Sequence, residues 1–354
     1  AMDPLTHALS GALIARATAG APTRAGTHTL PLARRVGLGF VAAAFPDVDV
    51  ALSWLSPLAY LYYHRGVTHS IVMLPVWSLL LAWLCARLWR GGPPWRAYFG
   101  VFAWCIAIHI AGDLITSFGT MIFAPFSDAR YALSTTFIID PWLTGLLFAA
   151  LVIAGIWRNA RAPALAGLAL VAGYVLAQYA LQQRAIEFGA AYARAQGIEN
   201  ARVTAQPRPA SPFNWIVFIS GNEQYHYSLV NLWRTRPLEL GRDAGFISRL
   251  NAPYLPLGQA IWVVASRYGS APAEIGIARE AWAQPQIAFF RWFAAYPALD
   301  RIDRGNPELC VWFHDLRFFT PGRDGWPFRY GLCRAAGGPW VPFQLVGELR
   351  YPVY

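Results

Sequence analysis

The chain has 354 residues, of which 56% are hydrophobic and 14% are charged. Soluble domains carry about 25% charged residues, so this composition argues against a soluble globular protein and for a membrane protein. The net charge of +10 raises the alternative of a nucleic-acid-binding protein, but the arginines form no stripe and many flank apolar runs, where they determine membrane topology. We therefore expect no nucleic-acid partner.

Six apolar segments in the first half of the chain predict membrane-inserted helices. A spanning helix needs roughly 20 mainly apolar residues, and four segments reach that length: about 67–89, 97–117, 137–157 and 162–183. Two earlier segments, about 5–19 and 34–55, are shorter or interrupted, the second by Pro46-Asp47-Val48-Asp49. Irregular backbone at membrane depth is tolerated only where it lines protein or a wet cavity. The fold class predicted is an α-helical membrane domain followed by a soluble α+β domain.

Arginine placement predicts the orientation of these helices. Three groups of arginines lie in loops on one side: Arg87, Arg90 and Arg96; Arg158 and Arg161; and Arg16, Arg24, Arg34 and Arg35. By the positive-inside rule these loops are cytoplasmic. The N-terminus, the 118–136 loop and everything after residue 184 are then expected on the extracytoplasmic side of a bacterial inner membrane.

The second half of the chain has the pattern of a separate domain. We predict a membrane domain over residues 1–185, a proline-rich linker over 186–212 and an α+β domain over 213–354. Strand patterns occur at 215–220, 224–232, 309–319, 329–334 and 340–350. A hairpin at the turn-like residues 320–325 would place Cys310 opposite Cys333, which predicts a disulfide if this domain faces an oxidising compartment.

Two pairs of polar residues inside the apolar segments have metal-ligand spacing. His109 and Asp113 are four residues apart on one predicted helix and share a face, which suits a two-ligand arm for a metal. The alternative is a buried hydrogen-bonded pair that joins two helices. Asp47 and Asp49, in a non-helical break, can serve as ligand and general base, or one of them can simply cap a turn.

The segment His64-Arg65-Gly66-Val67-Thr68-His69-Ser70 precedes a long apolar run. Thr68 is a natural N-cap, which would place His69 in the first helical turn and His64 in the preceding loop, so that both can face one centre. Arg65 between them suits a bidentate grip on phosphate or carboxylate. The alternative is a set of interfacial polar residues at the mouth of a helix.

Two further residues, His7 and Asp140, are candidate site residues only in combination with the others. His7 follows Thr6 as His69 follows Thr68, although a lone histidine in a short helix is more often structural. Asp140 precedes Pro141 at the start of an apolar helix, where a capping role and a site role are both open. Together these histidines and aspartates suit Zn²⁺, with Mn²⁺ or Fe²⁺ as alternatives. More than four such ligands favour two or more ions, which would generate hydroxide near neutral pH.

The motifs together resemble a known family over about residues 2–180. They are Thr6-His7-Ala8-Leu9, Pro46-Asp47-Val48-Asp49, the 64–70 segment, His109-Ile110-Ala111-Gly112-Asp113, Pro125-Phe126-Ser127 and Ile139-Asp140. These resemble the YdjM-like (LexA-regulated type) family of bacterial membrane-bound metal-dependent hydrolases. That family is distantly similar to the zinc-dependent phospholipase C and P1 nuclease group, which cleaves phosphodiesters on a multi-zinc site in a helical bundle.

The resemblance implies a ligand set. His7, Asp47, His69, His109 and Asp113 would match the His, Asp, His and HxxxD elements of the phospholipase and nuclease group. That group takes further ligands from a later His-rich helix ending in Glu, for which this chain has no counterpart. Either Asp49, His64 and Asp140 replace those ligands, or one of the metal ions is missing.

These observations predict a membrane-bound metal-dependent hydrolase that cleaves a lipid or lipid-linked phosphoester at the outer leaflet. The predicted metal ligands are His7, Asp47, His64, His69, His109 and Asp113. Asp49 is expected to act as general base and Arg65 to hold the phosphoryl group, with Asp140 as a further catalytic candidate. The alternatives are hydrolysis of an amide or ester in a lipid-linked substrate, transport of metal ions or protons by the same cluster, and a non-enzymatic lipid-binding or assembly role.

Overall fold

The computed structural model describes residues 3–20, 30–157, 160–221, 223–305, 308–322 and 326–353. Arg24 and Arg158 of the predicted cytoplasmic loops, and residues 323–325 of the predicted turn, lie outside these ranges. The chain divides into two compact units, one of residues 1–52 and 63–180, the other of residues 53–62 and 181–354.

Helices form the first unit, and proline or a capping aspartate marks where several of them begin. Asp3 accepts a hydrogen bond from the backbone N–H of Thr6, and Asp140 accepts from those of Trp142 and Leu143. A side-chain acceptor at such a position satisfies backbone donors that have no partner within the helix. In chain order the helices that precede the first strand are α1 (Pro4–Ala17), α2 (Leu32–Ala42), α3 (Pro57–Tyr63), α4 (Leu74–Leu88), α5 (Trp95–Leu114), α6 (Pro141–Ile156) and α7 (Ala162–Ala195). Most of α3 and the end of α7 belong to the second unit.

Three of the described helical stretches are long and apolar enough to cross a membrane: Leu32–Trp54, Trp95–Leu114 and Ala162–Ala195. The pair Pro57–His69 and Leu74–Leu88, bent by 78°, makes a fourth if it is counted as one span. The predicted count of six is not confirmed. With 14 residues in α1 and 16 in α6, these helices are only about 21 and 24 Å long, shorter than the roughly 30 Å hydrocarbon core.

The α1 helix packs against α2, α5 and α6. Its crossing with α2 is a glycine contact, because a Cβ atom on Gly11 would lie 2.3 Å from the carbonyl oxygen of Gly39. Close backbone approach through small residues is a common way for membrane helices to associate. It brings the N-terminal half of α1, with His7, beside the other helices that carry polar residues.

The second unit contains two five-stranded sheets. In the first sheet β1, β2 and β3 are consecutive neighbours and both β4 and β5 pair with β3; the second has the order β10-β9-β8-β7-β6 and is antiparallel. The described strands are β1 (Arg202–Pro207), β2 (Asn214–Gly221), β3 (Gln224–Asn231), β4 (Leu255–Pro256), β5 (Trp262–Ser266), β6 (Pro297–Arg304), β7 (Glu308–Asp315), β8 (Arg329–Ala335), β9 (Val341–Val346) and β10 (Leu349–Pro352). Short helices connect them: α8 (Phe246–Asn251), α9 (Pro272–Ala283) and α10 (Ala288–Phe293).

The strand predictions and the linker prediction differ from the structure in several places. The pattern at 309–319 ends as a strand at Asp315, and β5 and β6 were not predicted. The pattern at 340–350 forms two strands, because Gly347 adopts a φ of 59° between β9 and β10. The residues predicted as a linker, 186–212, instead continue α7 to Ala195 and then form β1. Pro207 is compatible with β1 because it ends a strand at the edge of its sheet.

Cys310 and Cys333 lie directly opposite each other on β7 and β8 and form a disulfide, as predicted. The bond closes a loop with a sequence separation of 23 residues. Replacing both cysteines with serine is expected to destabilise this unit by about 3 kcal/mol, because the unfolded chain regains the entropy of the open loop. This loss of stability is measured as the urea midpoint of unfolding of the full-length protein in detergent, followed by pulse proteolysis under non-reducing conditions. Cys85→Ser is the control, and an unchanged midpoint in the double variant would contradict the prediction.

Candidate metal centre

The polar residues of the first unit come from irregular segments and from α5. Asp47 and Asp49 lie in a 3₁₀ turn, Pro46–Trp54, and His69 ends a second one, Val67–His69. The expectation that Thr68 caps a helix was wrong, because α4 begins only at Leu74, where Pro75 occupies the first turn. The Thr68 hydroxyl instead donates to Oδ2 of Asp49 at 2.8 Å.

Four side chains bring one donor atom each to a single point. They are Asp47, His69, His109 and Asp113, and their donor atoms all lie within 4.8 Å of one another. Nε2 of His69 is 3.0 Å from Oδ2 of Asp113 and 3.5 Å from Oδ1 of Asp47, and Nε2 of His109 is 3.4 and 3.8 Å from the same two oxygens. Tetrahedral ligands at bond lengths of about 2 Å are separated by roughly 3.3 Å. The spacing is compatible with a bound metal ion.

Several of the ligand atoms at this point are buried and have no hydrogen bond. Within the described part of the chain, neither carboxylate oxygen of Asp47 has a hydrogen bond, nor does Nε2 of His69 or of His109. Burying an acceptor without a partner costs about 1–3 kcal/mol. A cation at the centre of the group would compensate these atoms together.

Hydrogen bonds fix the imidazoles in the form that binds metals. Nδ1 of His109 lies 2.5 Å from the carbonyl oxygen of Ala43, and Nδ1 of His64 lies 2.7 Å from Oδ1 of Asp49. A carbonyl or carboxylate oxygen only accepts, so Nδ1 carries the proton and Nε2 keeps its lone pair. Ligand histidines in proteins are commonly held in this way.

Asp49 is surrounded by donors. It accepts from Nδ1 of His64, from the backbone N–H of Arg65 at 3.1 Å and from the Thr68 hydroxyl, and Nδ1 of His69 lies 3.3 Å from its Oδ2. These contacts engage both carboxylate oxygens, which suits the positioning of two imidazoles better than the proton abstraction expected from the sequence. Asp49 nevertheless belongs, with Asp47 and His64, to a second group with metal-ligand geometry.

Arg65 is buried and its guanidinium is directed at α5. Nη2 lies 2.7 Å from Oδ1 of Asp113, Nη1 donates to the Thr116 hydroxyl at 2.8 Å, and the group stacks over Phe118. Its backbone has a φ of 61°, which costs about 1–3 kcal/mol in a residue other than glycine. The sequence suggested a grip on substrate, whereas these contacts hold Asp113.

His7 and Asp140 occupy different positions around this centre. Nε2 of His7 lies 3.2 Å from Oδ1 of Asp113, and its ring stacks on His109 with 3.7 Å between centroids. Asp140 caps α6, accepts from the Tyr174 hydroxyl at 2.7 Å, and has its pKa raised by burial despite these hydrogen bonds. Among the described residues neither belongs to the two donor groups.

Several supporting groups have no sequence signal. The Ala43 carbonyl holds His109 across 66 residues, and Arg130 donates to the carbonyl of His64 across another 66. Thr116 could have been suspected from its position three residues after Asp113, just beyond the end of α5. Thr68 was recognised in the sequence, but its hydroxyl was expected to accept from a helix backbone N–H, whereas it donates to Asp49.

Comparison with known proteins places this site in a family. The family model described as YdjM inner membrane protein matches residues 2–185. The chain belongs to this family. All the candidate site residues lie within the matched region, and the two sheets of the second unit lie beyond it.

A curated relative is more distant and is matched only in part. The uncharacterized protein YfhP of Bacillus subtilis (strain 168) is 27% identical over 145 residues, which are 39% of this chain and 42% of the relative. The match thus spans less than half the length of that relative. No solved structure matches. Membership of an inner membrane family and the apolar helices together identify a membrane protein.

Proposed function

We propose that this protein is a membrane-bound metal-dependent hydrolase that cleaves a lipid or lipid-linked phosphoester. The observation that carries the proposal is the buried group of Asp47, His69, His109 and Asp113, whose ligand atoms all lie within 4.8 Å of one another. Two imidazoles and two carboxylates suit Zn²⁺, and also Mn²⁺ or Fe²⁺. When bound, such an ion would activate water near neutral pH and would polarise a phosphoryl oxygen.

The surrounding residues hold the ligands in place. Arg65 and His7 both contact Oδ1 of Asp113, so Oδ2 is the oxygen beside His69 and His109. In the proposal Arg65 and His7 orient the carboxylate of Asp113, and Asp49 orients His64 and His69. Asp47 belongs to both donor groups, which favours a second ion held by Asp47 with His64.

The lipid substrate and the extracytoplasmic location are proposed from the ends of the helices. Arg16 is in the last turn of α1, Arg87 is in the last turn of α4, and Arg96 is at the start of α5. His7 and Asp113 belong to the opposite ends of α1 and α5, and His69 lies shortly before the start of α4. By the positive-inside rule the arginine ends are cytoplasmic, so the metal centre opens at the other leaflet, where headgroups lie. The disulfide of the second unit supports the same orientation because it requires an oxidising compartment.

Metal analysis coupled to a hydrolysis screen tests the proposal. We expect purified protein to contain one or two zinc-type ions per chain and to release a phosphorylated headgroup from phospholipids in mixed micelles. Removal of the ions by a chelator should abolish release, and Zn²⁺ should restore it. Matched amide and ester lipids, and metal flux into proteoliposomes, examine the alternative activities. Protein that contains no metal and turns over no phospholipid would contradict the proposal.

A further inference from the structure

A loop between α5 and α6 is attached to the segment that carries His64 and His69. This rim loop comprises residues 119–139. The backbone N–H of Met121 donates to the carbonyl of Arg65 at 2.9 Å, that of Ile71 donates to Ile122 at 3.0 Å, and the Ser70 hydroxyl donates to Ala124 at 2.5 Å. The loop is therefore a fixed border of the metal centre.

The rim loop exposes large apolar side chains although its backbone is irregular. Phe126 is 83% exposed, Leu133 54% and Phe123 43%, and the adjoining Ile71 is 57% exposed. Asp128 is an exposed charge in the same loop. Irregular backbone does not face lipid inside the hydrocarbon core, so a membrane protein carries such a loop at the interface. Apolar side chains in that position can reach into the acyl region while the backbone stays among headgroups.

The same loop holds a cation next to the metal-site segment. The Arg130 guanidinium donates to the carbonyls of Gly119 and His64, at 3.2 and 3.3 Å, and stacks over Phe118. The rim loop therefore combines the positive charge of Arg130, beside His64, with exposed phenylalanines. That combination matches the two ends of a phospholipid, a phosphate and an acyl chain.

We infer that the rim loop is a lipid-binding surface, on which Phe123 and Phe126 hold the acyl chain of the substrate whose phosphate lies towards Arg130. This inference rests on the proposed function for the identity of the substrate. The exposed phenylalanines beside the site, together with the Arg130 guanidinium, support a lipid as the occupant over a soluble protein.

Spin labelling tests the surface without reference to turnover. Cysteine is introduced at Phe126, or at Asp128 as the matched control, in a Cys85→Ala/Cys105→Ala background that keeps the disulfide. The proteins are reconstituted in phosphatidylcholine–phosphatidylglycerol vesicles, and label accessibility to oxygen and to a water-soluble nickel complex is compared. We expect the Phe126→Cys label to favour oxygen and the Asp128→Cys label to favour nickel. Equal aqueous accessibility at both positions would overturn the inference.

A kinetic comparison tests whether the rim loop binds the acyl chain of the substrate. For Phe123→Ser/Phe126→Ser we expect KM for a long-chain phospholipid to rise about tenfold, with hydrolysis of bis(p-nitrophenyl) phosphate, which has no acyl chain, unchanged. An unchanged KM for the phospholipid, or an equal loss on both substrates, would overturn acyl binding. If the wild-type protein hydrolyses neither substrate, the proposed function fails, and the spin-label result still decides whether the loop binds lipid.

Discussion

His69→Ala, alone and combined with His109→Ala, is expected to remove bound metal and hydrolysis together. Of the two imidazole nitrogens in the four-residue group, Nε2 of His69 is the closer to Asp113, at 3.0 Å, and it lies 3.5 Å from Asp47. Loss of a residue that only orients a ligand lowers metal affinity by about 10–100-fold, so loss of a ligand should exceed about 100-fold. Metal content by mass spectrometry and headgroup release are measured on the same preparations.

Thermal stability gives this prediction a second readout. A metal present at about 1,000 times its Kd stabilises the folded state by about 4 kcal/mol, so the wild-type Tm should fall on chelation while the Tm of the variants should not. The control is His226→Ala, a half-buried histidine of β3 that belongs to neither donor group. It should retain metal, activity and the chelator response. A double variant with wild-type metal content and turnover would refute the metal centre.

Arg65→Met is expected to destabilise the first unit by about 3–5 kcal/mol, because it leaves the buried carboxylate of Asp113 without its cation. Methionine keeps much of the volume of the side chain, so the effect reports mainly the charge. Thr116→Val is the matched control, since it removes one acceptor of the same guanidinium and should cost only about 1 kcal/mol. Chemical unfolding in detergent measures both.

The two interpretations of Arg65 give opposite results. A residue that holds Asp113 should lose stability and metal content together when it is replaced. A residue that grips substrate should leave stability and metal content unchanged and raise KM alone. The second outcome would contradict the role proposed here and would restore the interpretation drawn from the sequence.

The sequence predicted the components of the centre better than their arrangement. The four-residue spacing of His109 and Asp113 places both on one face of a helix, and two aspartates in a helix break were recognisable as donors. The partners of Arg65 were not predictable, because Asp113 is 48 residues away in sequence and the contact depends on how α5 packs. The contact between the Ala43 carbonyl and His109 was not predictable either, because every residue has a backbone carbonyl.

The helix count is not confirmed and some strand boundaries differ from the prediction, for different physical reasons. Apolar composition identified α1 and α6, but composition does not fix length, and both helices are too short for a span in isolation. The edge strand β1 was read as linker because Pro207 is unfavourable in the middle of a sheet and acceptable at the end of an edge strand.

The donors of the candidate metal centre all precede residue 114, whereas the disulfide joins residues 310 and 333. During synthesis the whole ligand set has therefore left the ribosome long before the second unit is complete. The ligands of the proposed ion are therefore all present in the chain before the two cysteines can pair, so that binding of that ion and oxidation of the cysteines can be separate steps of biogenesis.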